Sequence, residues 1–293
     1  MEEKKQVQIF RADDPESKLK AKLGRFSESK EAVQLKVNAE NCGGVDQVDR
    51  IAKALVGLSK PHWRLALWVW WNDLESVPES VWELANLEEL RLDNNKLKTL
   101  SPAIAKLTKL RRLWIDGNPF EVFPEAVCKL EQLEVLFVGG CRLSVLPSSF
   151  ASLRNLLELH LGYNALEQFP VVICELENLR KMWLHGNGMS SLPQSFANLR
   201  DLRELEISIN RFKVFPQVVC ELPNLEKLYM WDNKTRELPL AITKLVHLKY
   251  LSLSGNSFAS FPLFLGDLPQ LSEFRSNGMF NLLISINISL AHN

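Results

Sequence analysis

A 23-residue period runs through most of this chain and limits what it can fold into. We call the nine positions that recur every 23 residues from 72 to 256 the comb positions. Eight of them hold asparagine and one holds cysteine: Asn72, Asn95, Asn118, Cys141, Asn164, Asn187, Asn210, Asn233 and Asn256. Proline follows eight of them at a distance of six residues: Pro78, Pro124, Pro147, Pro170, Pro193, Pro216, Pro239 and Pro262. Periods of about 20 to 50 residues are typical of repeat proteins, in which each unit covers its neighbour.

Apolar residues stand eight, five and three positions before eight of the nine comb positions, as Leu202, Leu205 and Ile207 do before Asn210. The last two alternate with polar neighbours, which is the pattern of a short strand with one buried face. Successive strands of this kind stack in parallel, so that their backbone groups pair along the array. The proline then prevents a second strand or a long helix, which favours short helical turns such as 195–199 on the opposite side.

The unit LRELEISINRFKVFP at residues 202–216 resembles the leucine-rich repeat. Its constant length and Leu-Pro or Phe-Pro signature resemble an intracellular subclass that includes Ras-pathway scaffold proteins and plant intracellular Ras-group repeat proteins. The resemblance implies an α/β fold: a solenoid with a curved parallel sheet on its concave side and short helical or irregular turns on its convex side. It also implies that the nine comb residues, Cys141 included, form a structural ladder that satisfies loop backbone groups.

The sequence predicts four segments. Residues 1–30 are interpreted as a flexible charged arm with a short helix near 17–23, and residues 31–62 as a capping unit with a helix at about 45–58 and an additional strand at 32–37. The repeats span 63–279, beginning with a strand at 65–69. The remainder, 280–293, is an irregular tail, either a degenerate last repeat or the end of a truncated product.

A second period of two repeats lies over the first. Phenylalanine and leucine alternate before the proline, and Cys128, Cys174 and Cys220 recur every 46 residues. We interpret this as duplication of a two-repeat unit whose core alternates large and small residues. Alternate strands lie roughly twice the ~4.8 Å strand spacing apart, beyond disulfide reach, so these cysteines are predicted to fill the core.

The residues four and two positions before each comb position should point onto the concave face. The first column reads Trp68, Arg91, Trp114, Phe137, His160, Trp183, Glu206, Tyr229, Ser252 and Arg275, and the second reads Trp70, Asp93, Asp116, Gly139, Gly162, His185, Ser208, Trp231, Ser254 and Asn277. We predict that a protein partner binds here, through Arg91, Trp114, Phe137, His160, Trp183, His185, Glu206, Tyr229 and Trp231.

The types of these residues carry the prediction. Seven aromatic residues in the two columns, at about 150–250 Å² each, would expose several hundred Å² even when half screened, which approaches the roughly 800 Å² that a protein contributes to a standard interface. Tryptophan, tyrosine and arginine dominate binding hot spots, and Arg91 beside Trp114 is placed for a cation–π contact. The alternative is that the aromatic residues only shield one another along the strands. Separately, Trp68, Trp70 and Trp71 are expected to be covered by the capping unit and are therefore left out of the predicted binding residues.

Composition and motifs argue against other classes of function. Lys plus Arg and Asp plus Glu both number 35, without the basic excess typical of nucleic-acid binding. We predict no membrane insertion, since no run reaches about 18 apolar residues, and no secretion signal, which places the chain in the cytoplasm with reduced cysteines. The sequence has no phosphate loop or nucleophile elbow, and a metal shared by His160, His185 and the aspartates is not expected. No cofactor, metal or catalytic residue is predicted.

The sequence therefore favours a non-enzymatic scaffold or adaptor that binds a protein in intracellular signalling and is monomeric by itself. The alternative is a recognition subunit of a larger enzyme, such as a ubiquitin ligase, docked through the N-terminal arm. A third hypothesis is a structural or self-associating role. The residues do not distinguish small GTPases, phosphatases or receptor-complex proteins as partners.

Overall fold

The computed structural model describes residues 6–11, 33–40, 44–58 and 63–277. The chain divides into two compact units, Met1–Arg142 and Leu143–Asn293. The short helix expected near 17–23 and the tail at 280–293 lie outside the described residues.

The described part of the first unit forms six strands, and each pairs in parallel with the next along the chain. The pairing of the third and fourth strands shifts register between Leu65 and Ala66. The strands are β1 (Gln6–Arg11), β2 (Val33–Asn38), β3 (Arg64–Trp68), β4 (Leu87–Arg91), β5 (Arg112–Trp114) and β6 (Val135–Phe137).

The second unit repeats the arrangement with six strands of three residues each, again parallel and paired in chain order. They are β7 (Glu158–His160), β8 (Lys181–Trp183), β9 (Glu204–Glu206), β10 (Lys227–Tyr229), β11 (Tyr250–Ser252) and β12 (Glu273–Arg275). The predicted fold class is thereby confirmed: parallel strands at a constant period alternate with short turns.

The structure describes residues 6–11 of the segment predicted to be a flexible arm at 1–30, and these six residues form a strand. Strand β1 (Gln6–Arg11) pairs in parallel register with β2 (Val33–Asn38) at the edge of the sheet. The sequence held a signal for this strand, because the run QVQIF alternates polar and apolar residues at its start, as strands do. The high charge of the surrounding residues concealed it.

Among the described residues one α-helix, α1 (Val45–Leu58), lies between β2 and β3. Its apolar face is buried, with Val48, Ile51, Ala52 and Leu55 at most 3% exposed, as the helical spacing of these residues requires. The helix packs against the first 3-10 helix, where Ser80 Oγ donates a hydrogen bond of 2.7 Å to Asp49 Oδ1. It thus covers the apolar side of the first repeat.

The side of each unit opposite its strands consists of short 3-10 helices. In eight of the nine a proline directly precedes the helix, and its carbonyl accepts the first hydrogen bond, as Pro147 O does from Phe150 N at 3.0 Å. The proline has no N–H to satisfy at that position. The 3-10 helices span Glu79–Glu83, Pro102–Lys106, Glu125–Lys129, Ser148–Ser152, Val171–Glu175, Gln194–Asn198, Gln217–Glu221, Leu240–Lys244 and Leu263–Asp267.

The predicted alternation of large and small residues is present in the core. Phe169, before its proline, packs edge-on against Phe196, three residues after the next proline, with ring centroids 5.2 Å apart. In the repeats that have phenylalanine before proline, the 3-10 helix carries a smaller pair, such as Ile173 and Cys174, both buried. Each large residue therefore faces space left by a smaller one. Cys128, Cys174 and Cys220 are buried, as expected of core residues.

The residue directly before every comb position adopts the left-handed backbone conformation, with φ between 50° and 68°. These residues are Trp71, Asn94, Gly117, Gly140, Tyr163, Gly186, Ile209, Asp232 and Gly255. Gly186 is required for a second reason, because a Cβ atom there would lie 2.4 Å from Tyr163 Cδ1. The large side chain of Tyr163 is thus accommodated by glycine in the following repeat.

Candidate functional site

We call the sheet side that carries the residues four and two positions before the comb residues the strand face, and we describe it separately for each unit. The alternate residues of each strand point into the core; Leu113 and Met182, for example, are 0% exposed. The predicted residues between them are half-buried, neither taken into the core nor fully exposed. They are Arg91, Trp114 and Phe137 in the first unit and His160, Trp183, His185, Glu206, Tyr229 and Trp231 in the second.

Arg91 is the centre of the strand face in the first unit. Its Nε and Nη2 atoms donate to Asp93 Oδ1 and Oδ2 at 3.0 and 3.1 Å, a two-pronged pairing with a carboxylate that is 6% exposed. The guanidinium carbon lies 5.5 Å from the ring centroid of Trp114 and 4.4 Å from that of Trp70. The expected contact with Trp114 is therefore present, and the stronger one is with Trp70. The charge and the rings hold each other in place.

The tryptophans nearest the N-terminal end of the repeats are held by polar partners. Trp68 Nε1 donates to Glu89 Oε1 at 2.6 Å, and Trp70 Nε1 donates to Asn38 Oδ1 at 3.3 Å. The Lys36 ammonium lies 5.2 Å from the Trp68 ring. Strand β2 thus supplies contacts to both tryptophans. These contacts agree with the omission of Trp68 and Trp70 from the predicted binding residues.

Trp114 and Phe137 extend the aromatic surface of the first unit. Their ring centroids are 5.9 Å apart and the planes are inclined by 35°. In the second column, Asp116 Oδ1 accepts a hydrogen bond of 2.8 Å from Gly139 N. An aromatic strip therefore runs beside a row of carboxylates that are already held by the backbone or by Arg91.

Two histidines lie together on the strand face of the second unit. The ring centroids of His160 and His185 are 5.2 Å apart, and His185 also contacts the edge of Tyr163 at 4.9 Å. Burial, reinforced by the nearby His160, lowers the pKa of His185 to about 4, so that this imidazole is neutral at neutral pH. Its Nδ1 atom is buried and has no hydrogen-bond partner. In the described part of the chain, no three His, Cys, Asp or Glu side chains are close enough to share a metal ion.

Glu206 stands on β9 between Trp183 of β8 and Tyr229 of β10. Its Oε1 atom is buried and lacks a hydrogen-bond partner. Burial raises the pKa of this carboxyl group, opposed by hydrogen bonding from Ser208. Ser208 is itself fixed, since its Oγ accepts a hydrogen bond of 3.0 Å from Trp231 N.

Tyr229 stacks at 4.6 Å against Tyr250, a residue that the sequence analysis did not assign to the site. Burial raises the pKa of Tyr229 to about 12, and the neighbouring Glu204 adds to the rise. The guanidinium of Arg275 lies 5.6 Å from the Tyr250 ring. Tyr250 belongs to a third column, six positions before the comb residues, which the period-two alternation of a strand would have indicated.

This third column is dominated by charge. Lys181 Nζ lies 2.8 Å from Glu158 Oε1, and Lys227 Nζ lies 3.6 Å from Glu204 Oε2. Opposite charges on neighbouring strands therefore neutralise one another beside the aromatic column. Such pairs contribute little to stability where they are exposed. Glu206 differs from Glu158 and Glu204, which pair with lysines, because its Oε1 atom is buried without a hydrogen-bond partner among the described residues.

The comb asparagines connect successive repeats. Asn95 Nδ2 donates to Val69 O and Leu92 O at 2.8 and 2.9 Å, while its Oδ1 accepts from Asn72 N and Leu74 N, both at 3.0 Å. Amide oxygens also accept backbone N–H groups of the preceding repeat at Asn118, Asn164, Asn187, Asn210, Asn233 and Asn256. The Nδ2 atom of Asn72 donates to Ala39 O and Trp70 O at 2.7 and 2.9 Å.

Cys141 occupies its comb position with its Sγ 3.4 Å from Gly139 O and 3.8 Å from Ile115 O. These are the carbonyl positions that an asparagine amide contacts elsewhere. Burial raises the pKa of the Cys141 thiol to about 11, whereas reactive cysteines have a lowered pKa. Its surroundings are those of a structural residue.

Comparison with known protein families agrees with this geometry. A family model described as a leucine-rich repeat region matches residues 104–237, and a second, for the single leucine-rich repeat, matches 86–107 and 247–268. These matches and the repeated strand-and-turn architecture support assignment of the chain to the leucine-rich repeat family. A search of curated proteins found no match to the sequence.

Several solved structures are similar. A leucine-rich repeat protein of Leptospira interrogans is 27% identical with a TM-score of 0.68, over 84% of this chain and 66% of that one. A TDR receptor is 25% identical with a TM-score of 0.70, over 89% of this chain and 44% of that one. An internalin of Listeria monocytogenes, 18% identical over 82% of this chain and 77% of that one with a TM-score of 0.62, shares the fold. The chain thus spans less than two thirds of the first two.

Proteins of this family generally act by binding other proteins, and the fold is typically a non-enzymatic interaction scaffold. None of the helices in the described residues is long and apolar enough to cross a membrane.

Proposed function

We propose that this protein is a non-enzymatic scaffold or adaptor of cytoplasmic signalling that binds a partner protein on its strand face. The observation that carries the proposal is the half-burial of the aromatic residues there, Trp114 and Phe137 in the first unit and Trp183, Tyr229 and Trp231 in the second. Each of these residues lies on a strand or within two residues of its end, and each is only partly buried. Rigid aromatic residues of this kind contribute most of the binding energy in protein interfaces.

The packing of these rings bears on the alternative that they only shield one another. Ring contacts at 5.9 Å for Trp114 with Phe137 and 6.3 Å for His160 with Trp183 show that neighbours do touch. In contrast, the core residues on the same strands are 0% exposed. Mutual contact therefore covers only part of each ring, and a row of partly open aromatic residues is a typical interaction surface.

Resemblance to the intracellular repeat subclass supports a place in signalling, where proteins with Ras-pathway scaffold repeats act. The alternative function, a recognition subunit docked to an enzyme through an N-terminal arm, has less support, because Gln6–Arg11 is a strand of the sheet. That strand is not available as an independent docking arm without leaving its partner.

The test uses one substitution in each unit. Binding partners are captured with the wild-type chain and identified by mass spectrometry, and their affinities for Trp114→Ala and Trp183→Ala are then measured. We expect a loss of about 2 kcal/mol or more in binding free energy for the variant whose unit contacts the partner. Val122→Ala and Val214→Ala are matched controls, since these exposed side chains (76% and 77%) lie outside the strand face.

Circular dichroism must show that the tryptophan variants fold as the wild type does. If folded Trp114→Ala and Trp183→Ala both bind every captured partner with wild-type affinity, the strand face is not the binding surface.

A further inference from the structure

The strand face of the second unit carries a carboxylate framed by aromatic rings. Glu206 is paired across the sheet with Trp183 on one side and with Tyr229 on the other. Neighbouring parallel strands are about 4.8 Å apart, so a group seated over Glu206 lies within reach of both rings, inside the roughly 6 Å over which a cation is attracted to an aromatic face.

The carboxylate itself is incompletely satisfied. Its Oε1 atom is buried without a hydrogen-bond partner, and burying such an acceptor costs about 1–3 kcal/mol, or more for a charged group. The neighbouring Glu204 differs, because the Lys227 ammonium lies 3.6 Å from its Oε2 atom. Burial raises the pKa of Glu206, and hydrogen bonding from Ser208 and the charge of the nearby His160 oppose that rise.

A second buried polar atom without a hydrogen-bond partner among the described residues lies just beyond the end of β8. His185, two residues beyond Trp183 in the same repeat, has a buried Nδ1 atom with no hydrogen-bond partner. Since its pKa is lowered to about 4, the ring is neutral at neutral pH and offers one nitrogen as an acceptor. This part of the strand face therefore combines a half-buried carboxylate and a half-buried neutral imidazole with two flanking aromatic rings.

We propose that this group of Glu206, His185, Trp183 and Tyr229 is a subsite for an arginine side chain of the partner protein. A guanidinium supplies a cation for the carboxylate, stacks on aromatic faces, and carries five N–H donors in one plane, so it can pair with Glu206 while it lies against a ring. A lysine ammonium is a compact point charge without the planar stacking surface. The inference rests on the proposed function, since it specifies what part of the bound protein the second unit recognises.

The subsite is tested with a short probe, so that the identity of the whole partner is not needed. The capped peptide acetyl-Ala-Arg-Ala-amide is titrated at pH 7.5 into ¹⁵N-labelled protein, and the indole N–H signal of Trp183, assigned with Trp183→Phe, is followed. We expect a saturable shift in the millimolar range. The peptide in which citrulline replaces arginine is neutral and has the same shape, and it should bind at least ten times more weakly. The affinity of the lysine peptide should lie between those of the other two.

Glu206→Gln should weaken binding of the arginine peptide at least tenfold, and Glu204→Gln, its matched control on the same strand, should leave it within twofold. Thermal unfolding must show that both variants are folded. Equal binding of the arginine and citrulline peptides, or undiminished binding by Glu206→Gln, would overturn the subsite. In that case, loss of partner binding in Trp183→Ala would still support the proposed function, so the two failures are distinguishable.

Discussion

The imidazole of His185 lies directly against the backbone of Gly162, one repeat earlier. A Cβ atom at residue 162 would lie 2.7 Å from His185 Cε1 and 2.8 Å from its Nε2, closer than Cβ atoms approach their neighbours. Glycine at 162 therefore lets the ring lie flat on the preceding repeat, where burial keeps it neutral. The first prediction concerns the energetic consequence of that neutrality.

We predict that the protein loses stability in mild acid through His185. Its pKa is about 4 in the folded chain against 6.5 ordinarily, so the unfolded chain binds more protons between these values. The free energy of unfolding is therefore unaffected by protonation of His185 above pH 6.5 and decreases as the pH falls toward 4. A full shift would change the free energy of unfolding by about 1.36 kcal/mol for each pH unit between the two pKa values. Because the ring is only half-buried, we expect a smaller loss, about 1 kcal/mol in total between pH 7 and pH 5.

The measurement compares chemical unfolding of the wild type and of His185→Phe at pH 7 and pH 5. The phenyl ring preserves the shape and cannot be protonated, so the difference in free energy of unfolding between the two proteins isolates this histidine. Parallel pH dependence of the two proteins would contradict the prediction.

Ile209→Gly should stabilise the protein. Ile209 has φ of 51°, and a β-branched residue in the left-handed region is strained by about 1–2 kcal/mol. Glycine adopts this conformation without that penalty, although it loses more backbone entropy on folding. We expect a net gain of about 1 kcal/mol, seen as a melting temperature a few degrees higher.

Ile207→Gly, two residues earlier, is the contrasting control. Ile207 is 0% exposed, so glycine there removes a core side chain and should destabilise by several kcal/mol, on the order of 2–5. A lower melting temperature for Ile209→Gly would show that the side chain of Ile209 contributes more through packing than its backbone costs.

Asn118→Ala should be strongly destabilising. The amide of Asn118 donates to Leu92 O at 2.9 Å and to Ile115 O at 3.0 Å, and its oxygen accepts from Leu97 N at 3.0 Å. Alanine leaves these buried groups without this partner, and each costs about 1–3 kcal/mol. We expect a loss of roughly 3 kcal/mol or more in the free energy of unfolding, measured with urea.

The control for this change is Asn178→Ala. Asn178 Nδ2 also donates to a backbone carbonyl, Arg154 O, at 2.8 Å, but at an exposed site. Water can replace that hydrogen bond, so the effect should stay below about 1 kcal/mol. Equal effects at the two positions would mean that burial of the comb amide adds nothing to stability.

The repeat architecture was predictable because it depends on spacing. A 23-residue period with fixed apolar offsets determines which side chains enter the core, and residues such as Leu113 and Leu205 are buried accordingly. The same offsets located the strand face, since residues between two inward positions must point outward.

Other features depend on contacts that spacing does not describe. The partnership of Arg91 with Trp70 is diagonal across two strands, and the approach of His185 to Gly162 depends on side-chain orientation. Tyr250 was missed because only two columns were considered, although strand alternation supplies a third. Strand β1 was missed because charged neighbours obscured a short alternating run.

The contact of Phe169 with Phe196 makes the pair of repeats, not the single repeat, the interchangeable module of this protein. Removing one repeat of 23 residues would place two repeats with large core residues side by side, or two with small ones, which would leave a cavity. Removing 46 residues would preserve the alternation of large and small core residues. Natural or engineered length variants should therefore tolerate changes in even numbers of repeats and resist odd ones.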